Sequence, residues 1–238
     1  MNFLQGVVQG LTEFLPVSSS GHLLLFEKLL DLEGGVSLIA FLHLGTFFAV
    51  LIFSFKRLLY VLSKPRLIFM TVLSTIPAGL VGIFFDKAVE SAFDVKLLPI
   101  TFSISALFLG LTKGERDLKG MDDMNVRDAI MIGLSQAFAV LPGISRSGMT
   151  ISTAILLGYR WEDAMYYSFI LSLPVTFGAG ILQMEKVGHG AIHGFMGALI
   201  FGFLALFLVK HLLRKGIFYR FGYYLVALSI VVYFGVIT

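Results

Sequence analysis

The chain contains 238 residues, of which 57% are hydrophobic and only 14% are charged, and its formal net charge is +3. A mean hydropathy of +0.90 excludes an ordinary soluble domain. Because cysteine is absent, disulfides and thiolate metal sites are excluded as well. Apolar runs of about 20 residues, the length that crosses a bilayer, recur along the chain. We therefore expect an all-α polytopic membrane protein with no nucleic-acid partner.

The first predicted element is a pair of short helices around a polar break. Residues 1–15 and 19–30 are largely apolar, but Pro16 and a run of serines separate them. Neither segment is long enough to cross a bilayer. Non-helical backbone at membrane depth is tolerated only where it lines a cavity or lies inside protein, so the pattern predicts a re-entrant hairpin.

Longer apolar segments follow and are predicted to cross the membrane, three in each half of the chain. They lie at about residues 36–55, 67–85, 97–112, 164–183, 194–209 and 221–236. A hydrophilic linker at residues 113–125 separates the halves, and residues 126–141 and 145–159 repeat the pattern of two short helices around a break. We predict one membrane domain of two repeats, about 1–118 and 119–238, each with one hairpin and three transmembrane helices.

The two predicted hairpins carry similar residues at equivalent positions. When the chain is displaced by 127 positions, Gln9 meets Gln136 and Ser18 meets Ser145. Because each repeat has an odd number of crossings, the second repeat starts from the opposite side of the membrane. The repeats are therefore predicted to be inverted, with hairpins that meet near the midplane.

The basic residues predict the orientation of the chain. Most of them fall in loops on one side of the predicted topology, including residues 56–66 and 210–220. By the positive-inside rule this side faces the cytoplasm. We therefore expect a multi-pass protein of the cell membrane with both termini outside.

The first hairpin contains groups capable of chemistry. Gln9 and Glu13 are four residues apart and share a helix face. Ser18 or Ser19 can cap the second helix, and His22 lies one turn further on. An ionisable residue at membrane depth costs at least about 2.5 kcal/mol, so it is a functional candidate. A carboxylate can act as a base or hold a metal, and an imidazole can act as a nucleophile or general acid.

The second hairpin has the composition of an anion site. Gly143 is expected to break the helix, and the next helix then carries Ser145, Arg146, Ser147 and Thr150. Free amides at a helix N-terminus, hydroxyl groups and a guanidinium bind anions. Phosphate fits better than carboxylate because Arg can hold two of its oxygens at once.

Several long motifs resemble those of one family. They are QGLTEFLPVSSSGHL at residues 9–23, FLHLGTFFAVL at 41–51, LPGISRSGMTIS at 141–152 and YSFILSLP at 167–174. Together they resemble the undecaprenyl-diphosphate phosphatase family of the membrane-integral BacA type. The resemblance implies hydrolysis of a polyprenyl diphosphate lipid to the monophosphate and inorganic phosphate, a reaction that recycles the carrier for cell-wall glycans.

The resemblance also implies roles for the polar residues. Glu13 is expected to act as a base or to anchor a divalent cation, Mg²⁺ or Ca²⁺, and Arg146 to stabilise the transferred phosphoryl group. The attacking group is open between Ser19, His22 and an activated water. The substrate-binding residues are expected to be Gln9, Ser18, Ser20, Gly143, Ser145, Ser147 and Thr150. Many members carry Glu where this chain has Gln9, which puts more weight on Glu13 alone.

Other interpretations are open for the function of the chain and for the roles of single residues. Inverted repeats with broken helices are also typical of transporters, so a transporter or flippase of polyprenyl phosphate is the alternative function. Arg146 and Glu13 could form a purely structural ion pair. His43 is interpreted as a packing residue or as support behind the site, outside the catalytic set. Small residues spaced four apart between positions 190 and 202 indicate helix packing or a homodimer contact.

Overall fold

The computed structural model describes residues 2–31, 35–114, 118–183 and 190–237. In this part of the chain the regular elements are helical, apart from one isolated bridge between Lys119 and Tyr159. The α-helices are α1 (Asn2–Phe14), α2 (Ser19–Leu29), α3 (Gly35–Leu62), α4 (Pro65–Phe84), α5 (Asp86–Ser91), α6 (Leu98–Leu111), α7 (Val126–Phe138), α8 (Arg146–Leu156), α9 (Trp161–Gln183), α10 (Ala191–Arg214) and α11 (Phe221–Val232).

Five helical segments of the described chain are long and apolar enough to cross a membrane. They are Ser37–Leu62, Pro65–Phe84, Trp161–Leu182, Ala191–Arg214 and Phe218–Val236. Their outer faces carry large apolar side chains such as Ile83 and Leu182, which are 73% and 77% exposed. Apolar side chains on the outside are expected where lipid is the solvent. The prediction of an all-α, multi-pass membrane protein is confirmed.

The predicted crossing at about residues 97–112 corresponds to α6, which is shorter than the other five segments. This helix has 14 residues, so it is about 21 Å long at 1.5 Å per residue, against a hydrocarbon core of about 30 Å. A 3₁₀ turn at Val95–Leu97 precedes α6, and Pro99 lies in its first turn. The length expected of a full crossing is therefore found for five of the six predicted segments.

The four short helices lie where the sequence predicts the broken pattern. α1 and α7 have 13 residues each, and α2 and α8 have 11 residues each. At 1.5 Å per residue these helices are about 20 Å and 17 Å long, which is too short to cross a bilayer. The two broken pairs thus match each other in the length of both helices.

α1 and α10 pack so closely that their backbones are in contact. A Cβ atom on Gly6 would lie 1.9 Å from the carbonyl oxygen of Gly194, and one on Gly10 would lie 2.6 Å from the backbone nitrogen of Gly202. Only glycine in α1 permits this approach, because any side chain would separate the two helices. The small residues of α10 therefore pack within the chain, which is one of the two interpretations of their spacing.

Buried hydroxyl groups join α4, α7 and α9. The Ser74 hydroxyl donates to the Ala129 carbonyl at 2.8 Å and lies 2.9 Å from the Tyr167 hydroxyl. Phe14 of α1 packs edge-on against Phe169 of α9, with ring centroids 5.4 Å apart. These contacts hold helices from both halves of the chain around one core.

The start of α7 is anchored by a carboxylate outside the spans. Asp128 accepts hydrogen bonds from Tyr159, Lys119 and Asn125, the first at 2.7 Å. Burial and the Asp128 carboxylate raise the pKa of the Tyr159 hydroxyl above its usual range. Tyr159 therefore stays protonated and acts as a donor that ties the end of α8 to the start of α7.

Candidate active site

The breaks between α1 and α2 and between α7 and α8 end in the same helix cap. The Ser18 hydroxyl accepts from the Gly21 amide at 3.3 Å, and the Ser145 hydroxyl accepts from the Gly148 amide at 3.1 Å. Each serine satisfies one free amide, while the positive end of the helix dipole remains at the break. Both breaks therefore present a helix N-terminus, the feature that favours anions.

The second break is held in place by α6. Gly143 has a φ angle of +88°, and a Cβ atom at this position would overlap the Thr101 hydroxyl. The Ser145 amide donates to the Ser105 hydroxyl at 2.9 Å. Because a side chain would disfavour both the backbone angle and the close approach, glycine is required here. Gly143 thus shapes the break and sets the position of Ser145 and the helix it caps.

Glu13 is the central charged group of the site. Its side chain is buried, with 6% of the residue exposed. One carboxylate oxygen, Oε2, accepts from Gln9 at 2.9 Å and from the Ser19 hydroxyl at 2.6 Å. The other, Oε1, accepts from the Arg146 guanidinium. Residues 133 positions apart in the chain are therefore paired in the interior.

Further contacts join the two breaks around this ion pair. The Ser147 hydroxyl donates to the carbonyl oxygens of Leu15 at 3.2 Å and Glu13 at 3.4 Å. Removing one partner of a buried ion pair typically costs about 3–5 kcal/mol because the other charge is left uncompensated. The pair therefore contributes to holding the breaks together, whatever chemistry it performs.

A cavity of about 250 Å³ lies between the two breaks. Glu13, Ser19 and Arg146 line it together with apolar side chains of α3, α4 and α9. Ser18, Ser20, Ser145 and His43 are also in its lining. The cavity is thus a polar pocket with apolar walls, which suits a charged headgroup attached to an apolar chain.

His43 belongs to this pocket, although the sequence analysis left it outside the catalytic set. Its Nδ1 lies 2.8 Å from the Ile39 carbonyl, which can only accept, so Nδ1 carries the proton. Its Nε2 lies 3.4 Å from Oε2 of Glu13. A histidine inside the apolar run of α3 was itself a signal, because ionisable residues at membrane depth are functional candidates.

His22 lies away from Glu13. Its Nδ1 is 2.8 Å from the Ser18 carbonyl and its Nε2 is 2.7 Å from the Tyr224 hydroxyl. The ring stacks on Tyr224 at 5.8 Å and also contacts Phe102. On α2, Ser19 faces α1, whereas His22 faces α6 and α11. The structure therefore brings Ser19 to the carboxylate and leaves His22 outside the cavity lining.

The remaining predicted residues support the cavity from behind or from its edge. Gln9 is fully buried and reaches the cavity only through its hydrogen bond to Glu13. The Thr150 hydroxyl donates to the Arg146 carbonyl at 2.8 Å and lies 2.6 Å from the Ser168 hydroxyl. Thr150 thus stabilises the first turn of α8, from which Arg146 projects.

The donors around the cavity do not build a metal site on their own. No group of three or more His, Cys, Asp or Glu side chains occurs together in the described ranges. Glu13 supplies one carboxylate, and a guanidinium already bonds to one of its oxygens. Mg²⁺ commonly binds through one or two carboxylates plus substrate phosphates. The residues therefore fit a cation carried by phosphate oxygens better than a cation held by protein alone.

Comparisons with known proteins cover nearly the whole chain. A family model described as bacitracin resistance protein BacA matches residues 2–231. An undecaprenyl-diphosphatase of Thermotoga sp. (strain RQ2) is 43% identical over 235 residues, covering 98% of this chain and 99% of the relative. One of Methanococcus vannielii is 43% identical over 245 residues, covering 98% of each chain. One of Methanococcus maripaludis (strain C6) is 46% identical over 236 residues, covering 94% of this chain and 95% of the relative.

Proposed function

The chain belongs to the family of bacitracin resistance protein BacA, and from this premise we propose that it hydrolyses undecaprenyl diphosphate to undecaprenyl phosphate and inorganic phosphate. The observation that carries the proposal is the buried contact of Glu13 with both Ser19 and Arg146. It combines a base, a hydroxyl nucleophile and a phosphate-binding cation in one cavity. The names of the relatives also favour hydrolysis over the transport alternative.

Arg146 and the α8 N-terminus bind the diphosphate in this proposal. The guanidinium lines the cavity, and Ser145 and the free amides of the first turn of α8 lie beside it. Phosphoryl transfer depends mostly on positioning and on stabilisation of charge at the equatorial oxygens. A fixed guanidinium and a helix N-terminus supply both without reorganisation during the reaction.

Ser19 is the attacking group that the contacts support best. Its hydroxyl donates to Oε2 of Glu13 at 2.6 Å, the geometry of a nucleophile paired with its base. The Ser19 oxygen attacks the terminal phosphorus as its proton passes to the Glu13 carboxylate. The bond from that phosphorus to the bridging oxygen breaks, and undecaprenyl phosphate leaves with the bonding electrons.

Water completes the cycle. It attacks the phosphoserine phosphorus, the bond to the Ser19 oxygen breaks, and inorganic phosphate leaves. Glu13 returns its proton to the Ser19 oxygen as that bond breaks, and the protons of the attacking water stay on the phosphate or pass to solvent. Glu13 therefore acts as the base in the first step and as the acid in the second.

A divalent cation, Mg²⁺ or Ca²⁺, remains part of the proposal. When bound, it would neutralise charge on the phosphate oxygens, with Glu13 as its one carboxylate ligand from the protein. Gln9 takes the position at which the resemblance to the family leads us to expect a carboxylate in many members, so we propose that the cation enters and leaves with the diphosphate.

We also propose an arrangement in the membrane. The matched lengths of α1 with α7 and of α2 with α8, and the matched serine caps, support one membrane domain of two inverted repeats with re-entrant hairpins. The basic loops support a location in the cell membrane with both termini outside. A homodimer is a further proposal, and it cannot use the α10 glycines that pack against α1.

Phosphate release from undecaprenyl diphosphate by the purified protein in detergent tests the proposed function. We expect inorganic phosphate and a covalent phosphate on Ser19 that mass spectrometry maps after an acid quench. Parallel reactions with a chelator measure the need for a divalent cation. Movement of the lipid between leaflets without any phosphate release would favour transport and contradict the proposal.

A further inference from the structure

Gln136 is a buried polar residue that the reaction as described does not use. It lies in the last turns of α7 and only 1% of the residue is exposed. Neither Oε1 nor Nε2 of its side chain has a hydrogen-bond partner among the residues that the structure describes. A glutamine amide has two N–H donors and an oxygen acceptor, and native proteins rarely bury such groups unpaired. An amide of this kind therefore needs an explanation.

The amide nitrogens of the other buried glutamines in the short helices are engaged. Gln5 donates to Glu27 at 3.0 Å and Gln9 donates to Glu13 at 2.9 Å, while Oε1 of Gln9 has no partner in the described part of the chain. Gln9 finds its acceptor four residues further along its own helix. At the equivalent position after Gln136 the chain has Val140, which offers no acceptor. The amide of Gln136 therefore keeps its donors free, and the residue is part of the cavity lining, although both polar atoms of the amide are themselves buried.

The wall that carries Gln136 otherwise disfavours anions. It is formed by the C-terminal end of α7, where backbone carbonyl groups give the helix its negative pole. The N–H groups of Gln136 provide donors on that wall, in the same cavity lining as Arg146 and Ser145. A neutral amide donates to phosphate without adding a charge that would compete for Glu13.

We propose that Gln136 is a substrate-binding residue whose Nε2 donates a hydrogen bond to a non-bridging oxygen of the diphosphate headgroup. This inference rests on the proposed function and extends it. Arg146 spends one of its nitrogens on Glu13, and a diphosphate carries more oxygens than the remaining guanidinium donors can serve. Gln136 adds a donor on the α7 side to those of Arg146 and the α8 N-terminus.

Two near-isosteric substitutions test which atom matters. Gln136→Leu removes the amide, and Gln136→Glu keeps one oxygen but replaces the NH₂ donor with a second carboxylate oxygen, which only accepts. Loss of a hydrogen bond to a charged group lowers kcat/KM for phosphate release by about tenfold to hundredfold, so we expect this for Gln136→Leu. Gln136→Glu should lose more, because it repels phosphate. Wild-type kcat/KM in either variant would overturn the inference.

Thermal stability separates binding from a structural role. The matched control is Gln5→Leu, which removes a buried amide with a partner far from the cavity. We expect Gln5→Leu to lower the Tm while kcat/KM stays within about twofold of wild type. Gln136→Leu should have a Tm at or above that of wild type, because an unpaired buried amide is replaced by an apolar group. A Tm that falls as in Gln5→Leu would assign Gln136 a structural role and contradict the proposal.

Inorganic pyrophosphate distinguishes failure of this inference from failure of the proposed function. It presents the diphosphate chemistry without the lipid, so its binding can be measured as a rise in Tm even if no hydrolysis occurs. We expect wild type and Gln5→Leu to be stabilised, and Gln136→Leu to need about tenfold more pyrophosphate for the same shift. Equal responses of wild type and Gln136→Leu would overturn the role of Gln136, whereas absence of lipid hydrolysis by wild type would overturn the proposed function alone.

Discussion

The two broken helix pairs share helix lengths and a capping hydrogen bond but carry different charged groups. Both end in a helix of 11 residues capped by a serine hydroxyl, although the φ angle is +70° at Ser18 and −78° at Ser145. At equivalent positions 127 residues apart, Glu13 corresponds to Val140 and Ser19 corresponds to Arg146. Of the charged residues that line the cavity, Glu13 therefore belongs to the first pair and Arg146 to the second. The two pairs thus form one site only where they meet.

This difference separates two tasks. Under the proposed function, the first pair carries the reactive groups Glu13 and Ser19, and the second pair carries the phosphate-binding groups. Experiments that exchange or remove one task at a time can break the comparison or sharpen it.

Removal of the Arg146 guanidinium should have the largest effect. Arg146→Ala is expected to lower kcat for phosphate release by about 10³–10⁵-fold, the range seen for arginines that stabilise a transferred phosphoryl group. Because this variant leaves the buried Glu13 charge unpaired, Arg146→Lys is the companion that keeps the charge but not the two-oxygen grip. Folding is checked by the Tm of each variant. A Lys variant as active as wild type would remove the argument for a guanidinium.

Ser19 and His22 should differ strongly although both belong to the first pair. Ser19→Ala is expected to lower kcat on the order of 10³-fold and to abolish the covalent phosphate, since it removes the proposed nucleophile. His22→Phe should cost about tenfold or less, because the ring contacts Tyr224 and lies outside the cavity lining. The measurements are single-turnover rates and mass spectrometry of the quenched enzyme. A phosphohistidine, or the reverse order of effects, would assign the attack to His22.

Removal of either helix cap should have the smallest effect, and the two caps should contribute nearly equally to the free energy of unfolding. Ser18→Ala and Ser145→Ala each remove one N-cap acceptor, which is expected to lower the free energy of unfolding by about 0.5–2 kcal/mol. Ser20→Ala is the control for a serine beside the cap, because its hydroxyl lies 3.3 Å from the Ser18 hydroxyl while the Gly21 amide donates to Ser18. Denaturant titration in detergent measures all three variants. Destabilisation in only one capped pair would contradict an equal contribution of the two capping hydrogen bonds.

Much of the fold follows from the one-dimensional pattern. Long uncharged runs predict membrane-crossing helices because their length and polarity match the bilayer. The broken pattern at residues 1–30 and 126–159 likewise predicts two pairs of short helices. The prediction from hydropathy is least successful for α6. This helix has only 14 residues, so hydropathy alone does not decide whether it crosses the membrane.

Less of the candidate site follows from the pattern, because a side chain's direction depends on packing. Ser19 and His22 are three residues apart on α2, yet one contacts Glu13 and the other contacts Tyr224 of α11. Nothing local distinguishes them. His43 and Gln136 enter the cavity from α3 and α7, and only the three-dimensional arrangement of those helices brings them to Glu13 and Arg146. The catalytic and binding roles themselves stay predictions until the variants are measured.

The close packing of Gly6 and Gly10 against α10 determines when the site can assemble during synthesis. α1 is made first, but its packing partner begins at Ala191. At roughly 5–20 residues per second, the ribosome needs about 10 to 40 s to reach it. Until then the helix that bears Glu13 lacks its neighbour. A nascent chain therefore cannot complete its reactive centre early, and a truncation before α10 should leave Glu13 and Arg146 unable to align even though both residues have already been made.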